Sequence, residues 1–563
     1  MRRASPAATV VGALLAAALA TAVPAVGPTQ PAPSSSAGPP SPLPTQPVPS
    51  QAQSPGPNPT FAPSPGASQV PEVTPQPQPQ PVTLAPTSVI VLLGHSASAS
   101  LQSPVSGIVT PSGFDPSVAN VVFNPLNRSI EVTGLHAGST TATITDEYGL
   151  SAQLAIVVRI SAGKAYASTS VLITGHPASA DFVADSAARA AQRVSYAEPG
   201  AAVKIDDASI AGVGPLDPDD TELVHVPVSI QGPGYFPYHA DVAVQLTNLA
   251  QPQVAPKYLL VSDFPETITE NGTLFYADVS YGEPARLLYY HYAPKAAPLR
   301  RVIVKVQNSG QTSSLIQLIA GLAGPSPDIL YIGHAATQRF LVRENSGEGE
   351  LFDVPGGSTL NVVDQLLPAQ SLVSGLMQFR VLDGDGVRVA VIVQDAQDSP
   401  TGPISSTLLQ SSQLHARGIY QVPEFFYDEF YTVGAVATSL DIGKLPLANL
   451  VQGEVLGGDY GVKQSADLTL LNPTNDDARV GVWFEPRGGR ATGTFLIDGD
   501  VLQLHGVDPF KPVLLRSWTV PAHGYRHVSL TTMPEGGSSY PVLLLVSSQP
   551  PDGGSWGITS VVY

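Results

Sequence analysis

The sequence predicts a mainly β fold: tandem β-sandwich domains with one small α+β domain, behind a disordered proline-rich segment. Short runs rich in Val, Ile and Thr alternate with Gly, Pro, Asn and Asp turns. The turns recur roughly every 8–12 residues, as in sandwiches. Segments such as "TATITDEYG" (141–149) alternate apolar and polar residues with the period of a half-buried strand. Only one segment has clear helical periodicity.

Composition limits the architecture and the partners. The chain has 563 residues, 13% charged residues and a net charge of −18. Domains of roughly 100–200 residues predict three or four folded units. An acidic surface repels nucleic acid and anionic lipid, so neither is an expected partner. The absence of cysteine excludes disulfides, thiolate zinc sites, iron–sulfur clusters and cysteine nucleophiles.

Residues 1–22 are predicted to be a signal peptide. Arg2 and Arg3 precede an apolar run (7–20), and small residues suited to signal peptidase follow. The alternative is an uncleaved anchor helix, although the run is short for a span of about 20 residues. No later segment resembles a transmembrane helix. The protein is therefore expected in the periplasm, at the cell surface or outside the cell.

Residues 23–86 form the proline-rich segment, which is dominated by Pro, Ser, Gln, Ala and Gly. Few of these side chains could be buried, so no core would offset the ordering entropy. The segment is predicted to be a disordered linker: a stalk if the signal is retained, or a free tail if it is cleaved. It is interpreted as a spacer without a partner of its own.

The first folded unit, residues 87–160, is predicted to be a small β-sandwich. An Asp-Pro-containing turn, two later glycines and a strand that ends in aspartate form a pattern at Asp115, Pro116, Ser117, Val118, Ala119, Gly134, Gly138 and Asp146. With this pattern, residues 84–160 resemble the bacterial Ig-like domains of group 2, and also the N-terminal domain of pilus-formation proteins and pilus secretins. The resemblance implies an Ig-like sandwich and a place in an adhesin, surface protein or secretion machine.

The second unit, residues 161–252, is predicted to be a small α+β domain. Its helix is expected over 178–196, where apolar residues fall on one face. Asp181 and Asp185 come early in this helix and the arginines Arg189 and Arg193 late, which suits the helix dipole and local ion pairs. Pilus secretins also place a compact β-α-β domain after the first one, but their long pore domain is missing here.

The third and fourth units, residues 256–400 and 401–563, are predicted to be two related β-sandwiches that arose by duplication. Each shows a strand, a turn containing an asparagine (Asn308 or Asn472), another strand and then Val-Pro. "VLDGDGVRVAVIV" (381–393) predicts a hairpin. The fourth unit is expected to carry its own insertion at 425–460.

Three histidines follow glycine after apolar runs: His95, His176 and His334. We interpret all three Gly-His pairs as turns where a strand leaves its sheet, because a metal site needs several converging ligands. His523 and His527 would lie about 13 Å apart along a strand, too far to share a metal. No metal site and no cofactor are predicted.

Three acidic segments, 217–220, 383–386 and 472–477, are interpreted as turns. The first two are reminiscent of calcium loops, so calcium binding is the alternative, but neither has the regular ligand spacing ending in Glu. The sequence contains neither a nucleophile elbow around serine nor a phosphate-binding glycine loop. No catalytic residue is predicted, and the chain is not expected to be an enzyme.

Two aromatic clusters, "LLYYHY" (287–292) and "PEFFYDEFY" (423–431), are the candidate ligand sites. In the second, aromatic rings alternate with carboxylates, which together could stack on and hydrogen-bond to a sugar. Core packing is the favoured alternative for both clusters. The residues proposed to contact a ligand are Phe426, Tyr427, Phe430 and Tyr431.

These observations predict an exported, non-catalytic protein of a bacterial cell envelope with a structural or adhesive role. The expected partners are cell-wall polysaccharide or other envelope proteins. One alternative is a periplasmic accessory component of pilus assembly or secretion. Another is a secreted glycan-binding or glycan-active protein.

Overall fold

A computed structural model describes residues 81–102, 107–206, 210, 212–399, 404–412 and 415–557. The predicted signal peptide and most of the predicted linker lie outside this range. Within it, the chain is mainly β, with two helices and successive sheets arranged in four modules. Neither helix has both the length and the apolar character needed to cross a bilayer.

The first module is a β-sandwich of two four-stranded sheets, β1-β3-β6-β5 and β2-β8-β7-β4. Alternation along the strands builds its core: Ala142 and Ile144 are fully buried, as the period-two pattern predicted. β1 lies inside the range predicted as linker, because Leu84 is part of this core. The strands are β1 (Leu84–Ala85), β2 (Ser88–Leu92), β3 (Ser96–Leu101), β4 (Thr110–Ser112), β5 (Ala119–Asn124), β6 (Ser129–Gly134), β7 (Gly138–Thr145) and β8 (Ser151–Arg159).

The second module combines one helix with a group of strands. Its helix begins after the N-cap Ser179 and ends at Arg193, within the predicted range. Arg189 lies 3.8 Å from Asp185, one turn earlier, and both late arginines pair with Glu350. The elements are β9 (Gly163–Ala165), β10 (Ser168–Thr174), α1 (Ala180–Arg193), β11 (Ser195–Ala197), β12 (Ala202–Ile205), β13 (Thr221–Gln231) and β14 (Tyr238–Asn248).

The third module, the central sandwich, shares a sheet with the second. The ten-stranded sheet runs β12-β13-β14-β10-β20-β19-β22-β17-β15-β24, and a four-stranded sheet, β16-β23-β18-β21, packs on it. The elements are β15 (Tyr258–Ser262), β16 (Gly272–Val279), β17 (Ala285–Tyr292), β18 (Arg300–Gln307), β19 (Ser314–Ser326), α2 (Ile329–Ser346), β20 (Gly349–Val354), β21 (Thr359–Leu367), β22 (Leu372–Asp383), β23 (Val387–Asp395) and β24 (Arg417–Tyr420).

Helix α2 corrects the interpretation of the third Gly-His pair. His334 lies inside an 18-residue helix and not in a turn, so that prediction is wrong. Asp328 caps the N-terminus and Gly347, in the left-handed conformation, ends the helix. The helix packs on β19 and β22 and also contacts the fourth module. Because α2 is buried on two sides, its apolar residues do not form the single stripe by which a helix is recognised in a sequence.

The fourth module, the last sandwich, packs the sheet β25-β27-β32-β29-β30 against the sheet β26-β33-β28-β31. Its core is lined by large side chains such as Phe484, Phe495 and Trp518. The strands are β25 (Glu424–Thr432), β26 (Thr438–Ile442), β27 (Lys463–Leu471), β28 (Ala478–Pro486), β29 (Ala491–Ile497), β30 (Asp500–Val507), β31 (Val513–Val520), β32 (Tyr525–Thr532) and β33 (Val542–Ser547).

Two asparagines occupy equivalent places in the central and last sandwiches. Asn308 donates from Nδ2 to the carbonyls of Thr312 and Val354. Asn472 donates in the same way to the carbonyls of Asp476 and Val520. In each case Oδ1 accepts a backbone N–H two residues further on. The shared Asn-turn and Val-Pro pattern of the sequence therefore reflects one hydrogen-bonding device used twice.

Candidate functional site

The second aromatic cluster lies on β25, the edge strand of the five-stranded sheet in the last sandwich. Successive side chains of a strand point to opposite faces, so the cluster divides into two pairs. Phe426 and Phe430 point outward and are 75% and 61% exposed. Tyr431 is 2% exposed in the core, and Tyr427 is half-buried against the same core. The four rings therefore do not form one surface.

The two inward tyrosines anchor the edge strand. The Tyr431 hydroxyl accepts the backbone N–H of Ser548 at 2.7 Å, and the Tyr427 hydroxyl donates to Oε1 of Gln464 at 2.9 Å. Burial, with the negative charges of Asp459 and Asp441, raises the pKa of Tyr427. These tyrosines hold β25 in position, while the two phenylalanines on its other side are exposed.

Strand register extends the outward pair into a wider surface, which we call the aromatic face. β25 pairs in parallel with β27, and β27 pairs antiparallel with β32, so outward residues of the three strands align in rows. Polar groups therefore lie beside each exposed ring. The rows are Phe426–Ser465–Thr531, Asp428–Asp467–Ser529 and Phe430–Thr469–His527.

A histidine continues the aromatic face two strands away from the phenylalanines. His527 Nδ1 lies 3.0 Å from Oγ1 of Thr469, and this hydrogen bond orients the imidazole. The ring of Tyr525, 63% exposed, contacts His527 edge-on with ring centroids 5.1 Å apart. The face thus combines rings for stacking with hydroxyl groups that both donate and accept hydrogen bonds.

The middle row of the aromatic face places two acidic residues side by side. Asp428 and Asp467 are direct register partners on β25 and β27, and both are exposed. Like charges at directly paired positions destabilise a sheet. Folding alone does not favour this arrangement, whereas two adjacent carboxylates can accept hydrogen bonds from several ligand hydroxyls.

The first aromatic cluster, 287–292, is part of the interior. It forms most of β17, a central strand of the ten-stranded sheet. Leu287 and Tyr289 are fully buried in the core of the central sandwich. The Tyr289 hydroxyl donates to Oε1 of Gln365 at 2.5 Å. This cluster follows the core-packing alternative and offers no ligand surface.

The three Gly-His histidines lie in three different surroundings. His95 occupies a turn after β2, as expected. His176 lies in the loop after β10, where Nε2 is 2.9 Å from the carbonyl of Gln251. His334 is buried in α2, with Nδ1 2.9 Å from Oε2 of Glu535. The histidines do not converge on one another.

The acidic segments form turns. In 383–386 the backbone N–H of Gly384 donates to Oδ1 of Asp383, and Gly386 has φ 124° in the predicted hairpin between β22 and β23. Asp219, in 217–220, has φ 67° in the loop before β13. In 472–477 the side chain of Asn472 organises the turn.

One cluster of possible metal ligands was missed by sequence reasoning. Asp263, Glu266 and His415 place their ligand atoms within 4.8 Å of one another. The acids follow β15 and the histidine precedes β24, which are neighbouring strands that are far apart in the sequence. No local spacing signals such a site, because the strand pairing alone brings its residues together.

No protein-family model matches the sequence, and no curated protein matches it either. Among solved structures, tandem Ig repeats of Dlar align at 11% identity, covering 29% of this chain and 93% of that one, with a TM-score of 0.12. Bacteroides ovatus SGBP-B, from a mixed-linkage glucan utilization locus and solved with a mixed-linkage heptasaccharide, aligns at 12% identity, covering 52% and 72%, with a TM-score of 0.12. Carbohydrate-binding modules from the β-sandwich superfamily align at 10% identity, covering 56% and 98%, with a TM-score of 0.12. Likenesses this weak carry no argument about function.

Proposed function

We propose that this chain is an exported, non-catalytic protein of the bacterial cell envelope that binds polysaccharide through the aromatic face of its last sandwich. The observation that carries the proposal is the pair Phe426 and Phe430, both strongly exposed on one side of β25 with Asp428 between them. Single exposed apolar side chains are common, but two large rings on the same side of one strand form a patch of the kind that often marks a binding surface.

The shape of the surface favours an extended polymer over a small molecule. The two phenylalanines are four residues apart on one strand, about 13 Å from the rise per residue. They stand on a sheet face, whereas small-molecule sites are usually concave. A polymer lying along β25 would meet both rings and the polar row between them.

The charge of the surface favours a neutral or amino-sugar polymer. Asp428 and Asp467 carry negative charge on the face, and the whole chain has a net charge of −18. An anionic polymer would be repelled, whereas sugar hydroxyls can donate to these carboxylates. The two acids project from neighbouring strands of one surface and do not flank a bound chain from opposite sides, as glycoside hydrolysis requires. The proposal is therefore binding without catalysis.

Retention of the full chain on insoluble polysaccharide tests the proposal. The variant F426A/F430A should lose at least tenfold in affinity for a neutral glucan or purified cell-wall polysaccharide, measured by depletion or affinity electrophoresis. Tyr281→Ala is the matched control, since Tyr281 is 64% exposed in the central sandwich. Equal retention of F426A/F430A and the parent protein, or an equal loss in the control, would contradict the proposal.

The alternative is an accessory role in pilus assembly or secretion. It rests on the Ig-like sandwich of residues 84–159 and on the resemblance of that segment to pilus-formation proteins. In that case polysaccharide binding would be absent, and genes for a pilus ATPase and prepilins would lie beside this one.

A further inference from the structure

The cluster formed by Asp263, Glu266 and His415 lies where two neighbouring strands end. β15 and β24 pair antiparallel, with Ser262 opposite Arg417. The pairing continues one step further, because the Asp263 N–H donates to the carbonyl of Ala416 at 3.0 Å. Beyond this last hydrogen bond the two segments still run side by side. His415, which precedes Ala416, therefore lies next to Asp263 and Glu266.

The distances in the cluster fit metal coordination. Nδ1 of His415 lies 3.4 Å from Oδ2 of Asp263 and 3.2 Å from Oε2 of Glu266. Bonds of about 2.0–2.1 Å in a tetrahedral zinc site put neighbouring ligand atoms about 3.3 Å apart. A charge-assisted hydrogen bond is typically shorter, about 2.7–2.9 Å. The histidine nitrogen thus lies at a coordination-shell spacing from each of the two carboxylate oxygens, and all three ligand atoms lie within 4.8 Å of one another.

A buried histidine fixes the loop that carries the two acids. His291 on β17 is fully buried, with Nε2 3.1 Å from Oγ of Ser262 and Nδ1 3.0 Å from the carbonyl of Pro265. Burial lowers the pKa of His291 to about 4, so it is neutral, with Nδ1 donating and Nε2 accepting. Both ends of the segment 262–265 are therefore held, and the carboxylates are positioned in advance.

A second observation concerns the other oxygen of the Asp263 carboxylate, the one that does not face His415. Oδ1 of Asp263 is buried and has no hydrogen-bond partner in the described part of the chain. An unpaired buried carboxylate oxygen is costly, and a bound cation would offset that cost.

We propose that Asp263, Glu266 and His415 bind a divalent transition-metal ion of the Zn²⁺ class. One imidazole nitrogen with two carboxylate oxygens suits zinc, whereas calcium and magnesium prefer oxygen ligands alone. Three protein ligands leave a further position for water or an external ligand. The ion would tie β15 to β24, and thereby close the edge of the ten-stranded sheet. This inference is independent of polysaccharide binding.

Metal titration of the full, untagged chain tests the site. After chelator treatment and dialysis, isothermal titration with ZnCl₂ should show one equivalent bound, and Co²⁺ should give the visible absorption of a low-symmetry site. His415→Ala should abolish that equivalent or weaken it at least tenfold. Glu266→Gln is the second variant, with the same expected direction, if His415→Ala does not fold.

His225→Ala is the matched control. His225 also lies 3.0 Å from a carboxylate, that of Asp241, but this pair is exposed and is not part of a group of three possible metal ligands among the described residues. Zinc binding should be unchanged in this variant. If the parent protein binds no zinc, or if the folded His415 and Glu266 variants bind it as well as the parent, the cluster is an ion pair only and the proposal fails.

Discussion

Arg286 and Glu424 form a buried ion pair that joins the central sandwich to the aromatic face. Nη2 of Arg286 on β17 lies 2.9 Å from Oε1 of Glu424, the first residue of β25, and the arginine side chain is fully buried. The same guanidinium donates to the carbonyls of Pro423 and Gly461. Lys463 pairs with Glu424 at 3.0 Å from the next strand. The strand that presents Phe426 is therefore fixed at its start to another module.

Arg286→Met should destabilise the last sandwich by about 3–5 kcal/mol, because breaking a buried pair leaves Glu424 without its main partner. Partial compensation by Lys463 would put the loss at the lower end. All three tryptophans of the chain lie in the last sandwich, so tryptophan fluorescence during urea unfolding reports on this module.

Asp500→Asn is the control for this substitution, because it lies in the same module as the tryptophans. Asp500 pairs with Arg516 at 2.7 Å, but both side chains are exposed, and such surface pairs contribute about 0–1 kcal/mol. A similar small effect at Arg286 would show that the buried pair does not stabilise the junction. The double variant R286M/E424Q should recover part of the loss.

Gly333→Ala should separate α2 from the last sandwich. A Cβ at Gly333 would lie 1.6 Å from the carbonyl oxygen of Gly536, so the two backbones would have to move apart. In an isolated helix the same change would add about 1 kcal/mol of stability. The expected result is a lower melting temperature by tryptophan fluorescence, whereas the helix propensity of alanine alone would raise it.

Gly457→Ala provides the comparison for this prediction. A Cβ at Gly457 meets no atom within 4 Å, and its backbone does not need glycine. That variant should melt within about 1–2 °C of the parent, as expected for a substitution away from structural constraints. Unchanged or raised stability of Gly333→Ala would show that this contact is loose in solution.

The parts of the fold predicted from sequence are those with one buried and one exposed face. The strands β7 and β8 and the helix α1 alternate or repeat with a clear period, because each packs on one side only. Helix α2 has no such period and was not predicted, because it is covered by β19 and β22 on one side and by the last sandwich on another. Its end signals, Asp328 and Gly347, were present in the sequence and would have indicated it.

The candidate sites, too, could be predicted from the sequence only in part. Composition identified the aromatic cluster, but only the strand register separates outward Phe426 and Phe430 from inward Tyr427 and Tyr431. The metal cluster depends on the pairing of β15 with β24, which no local spacing encodes. Residue types are visible in a sequence, whereas convergence across strands is a property of the tertiary structure.

Asn472→Ala and Asn308→Ala should have matching effects in their own modules. Each asparagine is 1% exposed. Each donates a buried hydrogen bond from its turn to a carbonyl at the end of another strand, that of Val354 for Asn308 and that of Val520 for Asn472. Leaving these carbonyls unsatisfied should cost about 1–3 kcal/mol. Chemical unfolding followed by tryptophan fluorescence should show the loss for Asn472→Ala, and circular dichroism should show it for Asn308→Ala. Asp476→Ala, at an exposed position of the same turn, should change stability by less than about 0.5 kcal/mol. Unequal effects of the two buried variants would contradict the equivalence of the two turns.

The junction between α2 and the last sandwich should weaken in alkaline solution. Burial opposes protonation of His334, but the hydrogen bond and charge of Glu535 outweigh burial and raise the pKa of His334 above its usual 6.5. A raised pKa means that the folded state holds the proton more tightly than the unfolded state. The contribution of His334 to folding stability is therefore complete below pH 6.5. It is lost as the pH rises through the higher pKa of His334 in the folded state.

The ring centroid of His505 lies 4.4 Å from that of His334. The contribution of His505 to stability depends on pH in the opposite direction. Burial and the charge of His334 lower the pKa of His505, so its contribution is lost as pH falls below 6.5. Melting followed by tryptophan fluorescence between pH 5 and 9 should separate the two. His334→Gln should flatten the alkaline side of the profile, and His505→Asn the acid side, because each removes one titrating group while Glu535 and Gln503 remain. A parent profile that is flat from pH 6.5 to 9, or one that His334→Gln leaves unchanged, would show that the buried imidazole does not carry a proton between the modules.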